Sequence, residues 1–238
     1  MKNRYRVMIV ILVLVFNACE KYPSDDNDLD NSSFVETSGE YITQDNCDQV
    51  IEKEFSTGQV LEICYDYTYR SAKYVGYTLE SALVYSQNIT DRPNFHTENE
   101  LPQEYQVSKS DYTYSGYDRG HLAPDASFDY NEEDLKIIYS MANIIPQDQN
   151  VNRYFWSKAE AYEREMAVEF GEVEVLNGVD FGDNPIFIND KIAISKGFWK
   201  RIRNSDKGFE RCFYYDNFVV FDADEDTLKK HEISCPSL

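Results

Sequence analysis

Asp118-Arg119-Gly120-His121 is followed further along the chain by Asn152, Trp156, Glu160 and Arg164, spaced four apart. Positions four apart drift only slowly around a helix, so these side chains form one slanting stripe. The stripe mixes a neutral oxygen donor, an indole, a carboxylate and a guanidinium, whereas a stripe that served only to pack would be apolar. Placed opposite a histidine, it has the composition of a site that hydrolyses a phosphodiester with one hard divalent ion.

That reaction needs an activated water, neutralisation of charge on the phosphoryl oxygens and help for the departing oxygen. His121 is the expected general base, because neutral imidazole titrates near the working pH. Asn152 is the expected metal ligand: Mg2+ prefers oxygen and keeps several waters, so one amide oxygen is an adequate attachment. The competing role for Asn152 is helix capping, since it sits where a helix begins. Glu160, two turns on, is expected to hold water of the ion, with an ordinary surface carboxylate as its alternative. Arg164 and Arg119 are expected on phosphate, where a planar guanidinium bonds two oxygens at once. Asp118 is assigned to orienting Arg119 or a backbone turn, and Asn143 to fixing the metal loop by hydrogen bonds. Trp156 is read as core, and His96 and His231, which lack motif context, as surface residues.

Elements must hold these groups. Aromatic-rich alternating runs at Gln59–Tyr69 and Tyr74–Tyr85 predict strands, and Tyr105–Tyr114 is expected to continue their sheet up to the bend at Ser115-Gly116. Asn131 and the acids after it mark a helix start, with Leu135, Ile138, Tyr139 and Ala142 on one face and Pro146 as its stop. A second helix is expected over Asn152–Phe170, ended by Gly171. Apolar alternation returns at Val173–Leu176, Pro185–Ile188, Ile192–Ile194 and Arg211–Phe221, and Asp226–Glu232 is expected as a short final helix. Strands on both sides of the second helix predict a mixed α+β domain.

The chain of 238 residues is long enough for a substantial core, and it is rich in aromatics, with 19 Tyr and 14 Phe. Lys2, Arg4 and Arg6 precede an apolar run from Val7 to Phe16, too short to span a bilayer and of the length of a secretory signal. Phe16-Asn17-Ala18-Cys19 resembles a bacterial lipoprotein cleavage site, so residues 1–18 are expected to be a signal peptide and Cys19 the lipidated terminus. An ordinary signal peptide ending near a cysteine is the alternative. Residues 19–40, acidic and poor in large apolar side chains, read as a disordered tether, leaving a domain over 41–238. These readings put the protein outside the cytoplasm, anchored to the cell envelope and expected at the outer membrane.

Four cysteines remain, none in a C-x-x-C pair, and only 3 His are present, which argues against zinc. Export makes disulfides expected, and pairing by proximity joins Cys47 to Cys64 and Cys212 to Cys235. Four cysteines allow other pairings, and buried free thiols are the alternative. A net charge of -20 opposes a polyanionic partner. Against it, Lys191, Lys196, Lys200, Arg201, Arg203 and Lys207 crowd one stretch, which reads either as a phosphate-facing rim or as an ordinary solvated face.

YDRGHLAP at 117–124, MANIIPQ at 141–147 and NRYFWSKAEAYER at 152–164 resemble the active-site core of the DNA/RNA non-specific endonucleases, a branch of the ββα-metal (His-Me finger) nucleases. Weaker similarity runs from VGYTLE at 75–80 to GFWK at 197–200. The resemblance implies a mixed, mainly antiparallel sheet carrying a ββα-metal core, and cleavage of both DNA and RNA to 5'-phosphate products with Mg2+, Mn2+ substituting. It also carries over Arg92, because TDRPNF is similar to the family's arginine-bearing loop. The competing reading is a catalytically inactive surface lipoprotein that binds glycan or protein through its tyrosines. An inactive relative would be expected to lose a member of the stripe, and none is missing.

Overall fold

The computed structural model describes residues 42–218 and 223–236. The expected signal peptide, the tether and Cys19 lie outside the described residues. In chain order the strands are β1 (Gln49–Glu54), β2 (Val60–Asp66), β3 (Ser71–Glu80), β4 (Asp118–His121), β5 (Ile144–Gln147), β6 (Glu172–Asp180), β7 (Ile186–Ile188), β8 (Ile192–Ile194), β9 (Gly197–Asn204), β10 (Phe209–Asp216) and β11 (Glu232–Ile233). The α-helices are α1 (Glu132–Ile138), α2 (Ser157–Phe170) and α3 (Leu228–His231). A seven-stranded antiparallel sheet runs in the order β1-β2-β3-β6-β9-β10-β11, and β4-β5 and β7-β8 form separate pairs. The architecture is the expected α+β, mainly antiparallel one.

Side chains alternate across a strand, and one set from each central strand faces a common core. Ile63 and Tyr65 on β2, Val75, Tyr77 and Leu79 on β3, Val173 and Val175 on β6, and Phe198 and Ile202 on β9 pack with Phe155, Trp156 and Ala159 from the segment that ends in α2. The opposite face carries a smaller cluster of Ile42, Cys47, Cys64 and Leu176. The proximity pairing of the cysteines is the one formed: Cys47 is bonded to Cys64, and Cys212 to Cys235.

Three expectations need correction. Tyr105–Tyr114 is not a strand but the surroundings of two 3-10 turns, Gln103–Tyr105 and Lys109–Tyr112. The Asp111 carboxylate accepts from Ser108 N at 2.7 Å and from its hydroxyl at 2.9 Å, a local bond that competes with a sheet ladder. The first helix is capped by Asn131, whose side chain accepts from Glu133 N and Asp134 N, but it stops at Ile138. Pro146 is not its terminator: it lies in β5 opposite Arg119, where a two-stranded pair tolerates a residue without an N–H. Finally, the basic stretch is not a rim, because β9 runs through it. Alternation sends Lys200 into the core, fully buried, and puts Arg201 on the other face beside Glu210, so the charges are divided.

Ahead of α2, the chain from Val151 to Trp156 is a π-helical turn. Gly171 ends α2 with φ +94°, a conformation that costs a residue without a Cβ little.

Candidate active site

β4, β5 and the π-turn with α2 form the ββα unit that gathers the chemistry. DRGH is β4 itself, paired with β5 so that Asp118 faces Gln147 and His121 faces Ile144. Gly120 packs against the buried Gln147 side chain, which a Cβ at this position would have to displace.

Asn152 emerges from the π-turn, a helical irregularity frequent at functional sites. Asp148 starts that turn, its Oδ1 accepting from Asn150 N at 2.8 Å and Val151 N at 3.2 Å. Capping is therefore done by Asp148, which frees the Asn152 side chain. The Nδ2 of Asn152 donates to Asp118 Oδ2 at 3.1 Å, and Arg153 grips both oxygens of the same carboxylate at 2.8 and 2.9 Å. With its nitrogen committed, the amide presents Oδ1 away from Asp118. Asp118 thus bonds Asn152 and Arg153, where Arg119 or a backbone turn was the expected partner.

His121 stands at the other end of β4, three extended residues or about 10 Å from Asp118. Phe95 and Tyr139 pack on its ring, with centroids 5.4 and 4.8 Å away. Nε2 is buried and has no partner among the described residues. Burial pulls the imidazole down from 6.5 to about 4, with nearby Asp125 opposing the shift and Arg92 reinforcing it. The ring is therefore neutral at neutral pH. Asn143 fixes the chain that follows: its Oδ1 accepts from Ala123 N, and its Nδ2 donates to the carbonyls of Ala123 and Ile138.

Arg92 approaches from the loop after β3 and pairs with Asp125 at 3.1 Å and Asp129 at 3.2 Å, while its Nη1 is buried with no hydrogen-bond partner among the described residues. Asp125 also accepts from the Tyr139 hydroxyl at 3.1 Å. On α2, Glu160 is pushed up to about 8, first by burial, with Lys200 opposing. Arg164 reaches Ser127 Oγ at 3.4 Å and buries an Nε that bonds nothing among the described residues. Trp156 is core, with no exposure, and its ring meets those of Phe198 and Tyr215 edge-on.

Between Glu160 and Arg164 lies a group that the sequence reading passed over. Glu163 is wholly buried and pairs with Lys200 of β9, and it accepts from Tyr77 Oη at 3.0 Å and Ser127 Oγ at 2.9 Å. Tyr77 in turn accepts from Lys200 Nζ at 3.1 Å and Asn177 Nδ2 at 3.3 Å. This network bolts α2 to β3, β6 and β9. The signal that could have found it is a lysine in the apolar row Phe198-Lys200-Ile202, which demands a buried acid.

Arg119 and His121, two apart on β4, share one side of that strand, and the Arg119 guanidinium lies 5.0 Å from the Phe95 ring centroid. Asp125 lies within electrostatic reach of His121 and Glu160, and Asp129 within reach of Arg92 and Arg164. Asp125 and Arg153 were also unforeseen, since Asp125 sits just past the motif and Arg153 between stripe positions. The other two histidines are not loose surface residues. His96 bonds the Thr97 and Lys136 carbonyls, and His231 stacks on Tyr215 with its Nε2 2.7 Å from Asp226.

No group of three or more His, Cys, Asp or Glu suited to a metal occurs among the described residues. The free Asn152 Oδ1 with the Glu160 carboxylate farther along the helix is instead a donor set of hard oxygens. Such a set fits an ion that retains most of its water.

The family model described as DNA/RNA non-specific endonuclease matches residues 38–234. Among curated proteins, the chain is 31% identical over 127 residues to a protein named Nuclease EXOG, mitochondrial, from Danio rerio, covering 53% of this chain and 36% of that one. It is 31% identical over 139 residues to a protein named Nuclease from Nostoc sp., covering 58% and 50%. Against Endonuclease G, mitochondrial, from Bos taurus, identity is 26% over 138 residues, covering 58% and 44%. The chain thus spans half or less of the length of these relatives. A solved structure titled as the EndoG/EndoGI complex superposes with a TM-score of 0.67 at 20% identity, over 77% of this chain and 80% of that one, which shows the shared fold.

Proposed function

The chain belongs to the DNA/RNA non-specific endonuclease family, and from that premise we propose that it hydrolyses phosphodiester bonds of DNA and RNA, leaving 5'-phosphate ends, with Mg2+ as cofactor and Mn2+ as a substitute. The observation that carries this is the set of unanswered nitrogens around His121. His121 Nε2, Arg92 Nη1 and Arg164 Nε are buried with no partner among the described residues, so a base and two cations keep hydrogen-bonding capacity that a bound phosphate would use.

In this reading His121, already neutral, takes a proton from the attacking water as the new P–O bond forms and the 3' oxygen leaves. Arg92 and Arg164, with Arg119 from β4, balance charge on the phosphoryl oxygens. Asn152 would hold the ion through Oδ1, and Glu160 would order its hydration shell. When bound, the ion polarises the phosphate and stabilises the departing oxygen. Asp118, Arg153 and Asn143 position these groups without touching substrate. Because the contacts fall on phosphate, cleavage should be nearly indifferent to base sequence.

The protein should nick supercoiled plasmid with Mg2+ and degrade RNA, and EDTA should abolish both. Failure with Mg2+, Mn2+ and Ca2+ alike would sink the reading. The proposal extends to export and anchoring through Cys19, supported by the basic start and the apolar run Val7–Phe16. Cys19→Ser should release the protein from membranes and abolish its labelling by radioactive palmitate.

A further inference from the structure

Four segments that are separate in sequence converge beside His121 to line an open groove of about 470 Å³. Arg92 and Phe95 come from the loop after β3, Lys109 from the 3-10 turn Lys109–Tyr112, Arg119 from β4 and Tyr139 from the end of α1. The described lining carries three cations and no acid. Asp125 and Asp129 pair with Arg92 from outside the lining, so Lys109 and Arg119 give the groove its positive charge in a chain of net charge -20. Asp111, the acid nearest to Lys109 in sequence, is neutralised by Lys191 at 2.6 Å and turned into its own cap with Ser108.

Phe95 and Tyr139 are both groove walls and the two rings against His121, so one pair of rings separates the groove from the reactive imidazole. The Phe95 ring is engaged by Arg119 and by Tyr139, whose centroid is 4.8 Å away, leaving it a spacer and not a platform for a base. What the groove offers a ligand is therefore positive charge at intervals, the recognition chemistry of a sugar-phosphate backbone.

We propose that this groove is a subsite for the backbone of a polynucleotide strand flanking the scissile linkage, with Lys109 as the contact for a neighbouring phosphate. It rests on the nuclease reading and adds a residue that neither the DRGH motif nor the helical stripe contains. Lys109 is exposed, and its Nζ lies 3.4 Å from Asn94 Oδ1, which holds the ammonium over the groove at little cost to the fold. Phosphates beyond the one being cleaved would then contribute affinity, so long strands would be bound better than dinucleotides.

The test uses the full chain carrying His121→Ala, so that strands stay intact, and measures fluorescence anisotropy of labelled single-stranded DNA against salt concentration. Adding Lys109→Ala should weaken binding several-fold, equally for homopolymer and mixed sequence, and flatten the slope of log Kd against log salt by about 0.7, the loss of one single-strand phosphate contact. Lys109→Glu should weaken it further, whereas Lys207→Ala, on the turn between β9 and β10, should change nothing. Affinity and slope unchanged in both Lys109 variants would overturn the subsite, even if the wild-type protein nicks plasmid. Slopes that depend on Lys109 in a protein that cleaves nothing with any metal would uphold the groove and remove the nuclease reading instead.

Discussion

Two polar clusters flank α2, built from similar residue types and left in opposite states. On the sheet side, Glu163, Lys200, Tyr77 and Ser127 bond one another, and the carboxylate accepts from three donors. On the β4 side, His121, Arg92 and Arg164 each bury a nitrogen that bonds nothing among the described residues. A closed cluster holds a helix in place, because any missing member leaves a charge stranded in low dielectric. An open cluster costs stability on its own and is worth keeping only if something arrives to complete it. The helix thus sets a structural ion pair, at Glu163, one residue before Arg164 and three after Glu160.

The comparison breaks most visibly at His121. His121→Ala should lower turnover on plasmid by about 10²–10⁴-fold, the usual contribution of general base catalysis, while the melting temperature stays level or rises. A loss under tenfold would take proton transfer away from this imidazole. The mirror experiment is Lys200→Met, which strands Glu163 and should cost about 3–5 kcal/mol, seen as a fall of roughly 10 °C in melting temperature by circular dichroism. Lys200→Met combined with Glu163→Gln should recover much of that loss. If the double variant is no more stable than the single one, the pair is not what makes Lys200 necessary.

Smaller effects sharpen the same contrast. Asp118→Ala frees the Asn152 amide to rotate and should raise the Mg2+ concentration for half-maximal activity by about 10–100-fold, the scale expected for a group that orients a ligand. Arg153→Ala should do less, since the exposed pair it removes leaves the Asp118–Asn152 bond intact. Glu160 gives the subtlest test. Burial holds its folded value near 8 against an ordinary 4.5, so between those two the native state keeps a proton that the unfolded chain has released. Stability must therefore fall as pH rises through that window. In EDTA, Glu160→Gln should raise the melting temperature by a few degrees at pH 9 and leave it unchanged at pH 5; equal shifts at both would refute a buried, strained carboxylate.

Much of the site was legible because its spacing is helical and local. Asn131 and Gly171 announced helix ends through side-chain capping and a positive φ, both readable in short windows. The strands Val60–Asp66 and Ser71–Glu80 showed through alternation and aromatic content. Tyr105–Tyr114 misled because its tyrosines favour extended chain, while the Ser108–Asp111 bond that bends it is only a few atoms of polar geometry. β9 misled for the opposite reason: clustered charge read as solvated, although alternation assigns neighbouring charges to opposite faces.

By itself the sequence determined the parts: DRGH, the asparagine and glutamate of the stripe, the start of the first helix, the end of the second and a mixed α+β domain, all consequences of short-range periodicity and side-chain chemistry. Tertiary structure alone decided how they are used. Asp148 rather than Asn152 caps the turn, Asp118 grips the amide, Lys200 goes inward to Glu163, and Arg92, Lys109 and Arg119 meet around Phe95. All but the Asp148 cap, a local bond, depend on contacts between segments far apart in the chain, where burial and unmet hydrogen bonds, not residue type, choose the partner.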